Sequence, residues 1–208
     1  MKKRKDNSRN SLIWMNPDRI RSLMDGIFAF AMTLLVLNLI LPDPSNLPPE
    51  TQLHDLLMSQ VQVFYNYALS FFLLAIFWMI HSQQIHILKK TDFKHIWINM
   101  IILMFVVLVP FSTSLMTDYS SDTLANLIFA FNMLIIGILY CLNWHYAIGK
   151  EGLISDDINV ERVKLARKRS LLTVFVSVLA IIIAFVAPEY TGLAYLLIPI
   201  LRFTPFFK

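Results

Sequence analysis

Long apolar runs recur along this 208-residue chain, and all eighteen of its lysines and arginines fall at the start, at the end and in every second connection between runs. A run of about 20 mostly apolar residues matches the hydrocarbon thickness that one helix crosses. In lipid, each backbone N–H and C=O has to be satisfied internally, which leaves helices or a closed barrel. The runs here lack the strict alternation of a barrel strand. Only 15% of the residues are charged, against about a quarter in soluble domains. The chain therefore reads as an all-α, polytopic membrane protein. No linker is long enough to divide it, so residues 1–208 form one membrane domain, of which 1–16 is a basic N-terminal segment.

Six spans are expected: 17–41, 53–80, 95–116, 124–148, 170–187 and a short one over 193–207. Pro17 suits a first helical position behind a capping Asn16. The apolar stretch after the basic start contains Asp25 and no small-residue cleavage site, so it reads as a retained helix rather than a signal peptide. Seven Lys/Arg lie in the segment through Arg21, three in the second-to-third connection, six in the fourth-to-fifth and two at the C-terminal end. The other three connections carry acids such as Asp43, Glu50, Asp118, Asp122 and Glu189. Under the positive-inside rule both termini are cytoplasmic and the number of spans is even. Basic loops beside anionic headgroups account for the net charge of +4 without a nucleic-acid partner. The single cysteine, Cys141, permits no intrachain disulfide.

The first span carries most of the functional information. On a helix turning about 100° per residue, Gly26, Phe30, Thr33 and Leu37 share one stripe, whereas Asp25 lies about 140° from Phe30. Two readings of the stripe stand: helix packing, or a pore lining with hydrophobic constrictions. Asp25 is likewise either a structural acid or an ion or proton site, since intramembrane acids are costly and expect a partner. Trp78 and His81, near the end of the second span, carry nitrogen donors at a compatible depth. A proton-coupled transporter using Asp25 is the alternative function.

Asn99, Asn126, Asn132, Tyr140 and Asn143 suit helix-to-helix glue. Pro110 is expected to kink the third span, with the hydroxyls of Ser112, Thr113 and Ser114 serving freed carbonyls. His86, His95 and His145 sit at the cytoplasmic border without metal-ligand spacing. The segment 156–169 reads either as a surface helix or as an extension of the fifth span. No catalytic or nucleotide-binding motif is present, so no enzyme and no cofactor is expected. The potassium-filter sequence TVGYG is absent as well.

The segment Arg19-Ile20-Arg21-Ser22-Leu23-Met24-Asp25, followed by GIFAFAMTLLVLNL, resembles the first helix of the transmembrane protein 175 family of potassium channels, marked by R-x-x-x-F-S-D. Leu23 and Met24 replace the Phe-Ser pair. Phe77-Trp78-Met79-Ile80-His81 resembles the family's F-W-x-x-H, and Asn99 with Leu108-Val109-Pro110-Phe111-Ser112-Thr113-Ser114 its N…LPFPTS. The resemblance spans about the first 116 residues. It implies a six-span subunit of a homotetramer in the prokaryotic plasma membrane, conducting K+ and other monovalent cations through a pore lined by the first helices. It further implies that Phe30, Thr33 and Leu37 face that pore, with Phe30 replacing the family's Ile or Leu. Arg19, Asp25, Trp78 and His81 are implied to form a network supporting the pore helix, which the loss of the serine at Met24 would deprive of one hydroxyl.

Overall fold

The computed structural model of the protein describes residues 17–42, 52–150, 153–154 and 160–202. The Asn16 cap, the rest of the basic N-terminal segment, the proline-rich loop beyond Pro42 and the last six residues lie outside them. The described residues form helices α1 (Pro17–Leu34), α2 (Leu53–Ser59), α3 (Val61–His86), α4 (Phe93–Val107), α5 (Val109–Asp118), α6 (Thr123–Gly149), α7 (Val160–Val186), α8 (Thr191–Ala194) and α9 (Leu197–Arg202). Among the described residues, four stretches are long and apolar enough to cross a membrane: Pro17–Asn38, Val61–His86, Phe93–Asp118 and Thr123–Gly149. Ser170–Val186 adds a shorter apolar helix. The chain is an all-helical membrane protein.

Several boundaries differ from the sequence expectation, each for a local reason. The second span does not run continuously from residue 53. The chain breaks at Gln60, so α2 is a separate short helix, and α3 starts at Val61 and continues to His86. His81 consequently lies inside α3 rather than at its end. The third span is interrupted at Leu108, two residues before Pro110, whose ring cannot supply an N–H and crowds the carbonyl of residue 106. Ser112 and Thr113 hydroxyls both donate to the Val109 carbonyl, at 3.0 and 2.8 Å. Segment 160–169 is helical and continuous with α7, so it extends the fifth span.

The sixth apolar run is broken into α8 and α9. Pro199 again explains the break. A proline at 199 cannot donate to the Tyr195 carbonyl, and that carbonyl accepts a tighter bond from the Ile198 N–H at 3.1 Å.

The core lies between α1, α3, the α4–α5 pair and α6, with α7 laid along α6. α1 buries Ile20, Met24, Phe28 and Ala31, a spacing of three and four residues that defines one helical face. Gly137 on α6 brings α7 close: a Cβ there would stand 3.2 Å from Thr173 Cγ2 and 3.3 Å from the Val174 backbone nitrogen. Small residues let membrane helices approach and gain van der Waals contact where lipid supplies no hydrophobic drive.

Candidate functional site

The face of α1 opposite its buried one is left uncovered on the protomer. Phe30 is 58% exposed and Leu37 63%, with Thr33 exposed between them and Gly26 exposed one turn before Phe30. The helix tightens to a 3-10 turn at Leu35–Asn38, which rotates Leu37 by about 60° relative to an ideal α-helix and leaves it on the same side. Asn38 holds this turn in place by donating its side-chain amide to the Pro110 carbonyl, 3.2 Å away. The Thr33 hydroxyl donates to the Phe30 carbonyl at 2.7 Å, so its remaining lone pairs point away from the helix backbone. The resulting surface is apolar apart from one acceptor oxygen.

Asp25 stands on the flank between the buried and uncovered faces, and it is exposed. Trp78 Nε1 donates to its Oδ1 at 2.7 Å, tying α1 to α3. The other members of the expected network are elsewhere. Arg19 is exposed six residues before Asp25 and makes no ion pair with it, and Arg21 pairs with Asp18 at 3.5 Å.

His81 also departs from the expectation. Three residues from Trp78, it points about 60° away around α3, into the core. There its Nε2 bonds Asn99 Oδ1, and its ring meets Phe28 and Tyr140 edge-on at 6.1 and 5.3 Å. Met24, in place of the serine, is buried and supplies packing only.

His81 belongs instead to an interior polar chain linking α3, α4 and α6. Asn99 donates to the His95 carbonyl at 2.6 Å and to Asn143 Oδ1 at 3.2 Å. Asn143 donates to Gln84 Oε1 at 2.9 Å, and Gln84 to the Tyr140 carbonyl at 3.3 Å. All of these side chains are buried. Asn99, Tyr140 and Asn143 were readable as glue, whereas Gln84 was not singled out. Its signal is the three-residue spacing from His81, which puts both on one stripe of α3.

At the end of the bundle carrying Lys89, Lys90 and Lys150, a latch closes this chain. Asp92 caps α4 by accepting from the His95 N–H at 2.9 Å, and it also accepts from Tyr146 on α6 and from Lys150 just past its end. Burial works against the Asp92 charge, but the bonds from Lys150, Tyr146 and the His95 amide outweigh it and hold the carboxyl below its usual range. The same bond to Asp92 raises the Lys150 ammonium above its ordinary value. The i, i+4 spacing of Tyr146 and Lys150 and the N-cap position of Asp92 were the available signals. No group of acids, histidines and cysteines suited to a metal occurs among the described residues.

Residues 19–110 match the family profile described as endosomal/lysosomal potassium channel TMEM175. The matched segment runs from the start of α1 through Pro110 and so contains the uncovered face, the Asp25–Trp78 bond and the α3 and α4 members of the Asn99 chain, but not Tyr140 or Asn143 on α6. Over that segment the chain is similar to the TMEM175 family. The profile is that of an ion-channel family, not of an enzyme family. The chain is 27% identical over 154 residues to a potassium channel of Chamaesiphon minutus, covering 73% of this chain and 75% of that one. A potassium channel of Streptomyces collinus is 24% identical over 181 residues, covering 85% and 86%. The fold matches the crystal structure of a lysosomal potassium-selective channel TMEM175 homologue from Chamaesiphon minutus, with a TM-score of 0.77 over 88% of this chain and 95% of that one, at 24% identity.

Proposed function

We propose that this chain is a TMEM175-family, potassium-permeable cation channel of the prokaryotic plasma membrane. Four copies of a six-span subunit place their first helices around a central pore, with both termini cytoplasmic. The observation that carries this reading is the uncovered face of α1, where Phe30 and Leu37 stand exposed on either side of Thr33. In the assembly these rings of apolar side chains form the constrictions, and current depends on whether the gap between them is wide enough to be wetted. Thr33, its hydrogen already donated to the helix, offers an oxygen to a partly dehydrated cation. Few fixed oxygens imply modest selectivity.

The Trp78–Asp25 bond supports the reading by bracing α1 from its flank rather than from the pore side. The alternative, a proton-coupled carrier working through Asp25, has less support, because that carboxylate lies well off the stripe. Purified protein in liposomes tests the proposal. Phe30→Ala and Leu37→Ala are each expected to raise K+ flux several-fold over the parent. Unchanged flux in both variants removes them from the constriction, and a stable monomer with undiminished flux removes the four-helix pore.

A further inference from the structure

The end of the bundle opposite the lysine latch carries a groove that the pore reading does not use. A cleft of about 450 Å³ lies between the start of α3, represented by Gln62 and Tyr65, and Ser120, Glu189 and Tyr190. A second, almost wholly apolar hollow of about 160 Å³ continues from it past Leu69, Phe72 and Ile76, with Leu196 and Pro199 as the facing wall. Tyr65 lines both, so they meet at its ring. The α3 positions recur every three or four residues, which makes them one stripe running down the helix.

The facing wall exists because the sixth run is broken at Tyr195–Leu196. From Tyr65 to Ile76 the stripe descends about 16 Å, roughly half of a 30 Å hydrocarbon core. The groove thus has a polar mouth, an apolar floor and the depth of one leaflet.

Its electrostatics narrow the occupant. Among the described residues, the one formal charge at the mouth is the exposed Glu189 carboxylate. No Lys or Arg occurs in any connection at this end of the chain, so an anionic headgroup meets no cation. The amide of Gln62 and the hydroxyls of Ser120 and Tyr190 supply neutral donors. We propose that this groove is a binding site for a phospholipid with a primary-ammonium headgroup, of the phosphatidylethanolamine class. The ammonium pairs with Glu189, the phosphate lies among the neutral donors, and one acyl chain descends past Tyr65 along Phe72 and Leu196. Bilayer tails are as apolar as the groove, so the tail fixes position while the headgroup decides which lipid is kept.

The test is native mass spectrometry of the purified full chain taken from vesicles of equal phosphatidylethanolamine and phosphatidylglycerol. Exposed ion pairs are weak, so a preference for the ethanolamine lipid of about two- to five-fold is expected. Glu189→Gln should bring the ratio to one with total retained lipid unchanged, and Leu196→Trp should lower the retention of both lipids. Equal retention of the two lipids by the parent, or an undiminished preference in Glu189→Gln, overturns the proposal. So does an absence of retained lipid together with a disulfide between copies in Leu196→Cys, which would make the groove a contact between subunits.

Discussion

Replacing Asn99 by leucine separates two views of what a buried polar chain contributes inside a membrane protein. Asn99 bonds His81 on α3 and Asn143 on α6, and all three side chains are fully or almost fully buried. The leucine leaves the His81 ring and Asn143 Oδ1 without their partner, and it also removes the amide contact to the His95 ring at 3.2 Å. The Asn99 bond to the His95 carbonyl matters less, because that oxygen still accepts the helical N–H of residue 99. An orphaned buried group costs about 1–3 kcal/mol, whereas interhelical hydrogen bonds in membranes average only about 0.6 kcal/mol, with a maximum near 1.7.

The lower figure reflects groups that find another partner. His81 has none in reach: its Nδ1 is already unpaired among the described residues, and the rings of Phe28 and Tyr140 close around it. The expected loss for Asn99→Leu is therefore about 2–4 kcal/mol, or about 5–15 °C in melting temperature for a chain of this size. The double variant His81→Phe/Asn99→Leu removes donor and acceptor together. It should lose at least about 1 kcal/mol less than the sum of the two single losses. Thermal melts of the protein in one detergent, read by monodisperse peak height, give all four corners of the cycle. Losses that add within about 0.5 kcal/mol would refute the reasoning and return His81 and Asn99 to independent packing.

Two further outcomes follow from the latch and from the close approach of α6 and α7. The Asp92 carboxyl is held below its ordinary value, so its stabilising effect is complete above the unfolded pKa of about 3.9 and is lost as pH falls through the lowered folded value. Lys150 is raised, so its share is present below about pH 10.4 and lost as pH climbs through the raised value. Asp92→Asn should therefore flatten the acid limb of a melting-temperature profile and Lys150→Met the alkaline limb; parallel profiles would exclude the latch. Gly137→Ala should cost about 1–2 kcal/mol by overpacking Thr173 and the Val174 backbone, even though alanine is the better helix former. A raised melting temperature would show that α7 yields.

The spans were legible because hydropathy and the placement of lysine and arginine report solvent, which a single chain feels everywhere along its length. The sixth run is broken for the complementary reason. Composition over 193–207 satisfies a span, but one residue, Pro199, removes the hydrogen bond that would carry the helix past Tyr195. His81 misled through a boundary: with α3 running to His86 instead of residue 80, the histidine moves from an interface into the core. Trp78 and His81 were both reasonable partners for Asp25 by depth. Only the rotation about α3 distinguishes them, and depth carries no information about rotation.

That rotation also bears on how the pore helix is supported. If both donors met Asp25, α1 would be fixed to α3 at one point, and the carboxylate would carry the whole connection. Instead the attachments are divided. Trp78 holds the flank of α1 through Asp25, Asn38 holds its far end through the Pro110 carbonyl, and the Phe28 ring rests edge-on against His81. His81 in turn is fixed by Asn99, so the inner chain sets the position of Phe28, two residues before Phe30. In the proposed channel, loosening Asn99 would then shift the Phe30 constriction without touching Asp25, and loosening Trp78 would tilt the helix at its flank. Each attachment leaves the Gly26–Leu37 stripe bare, which is the condition for that stripe to meet ions rather than protein.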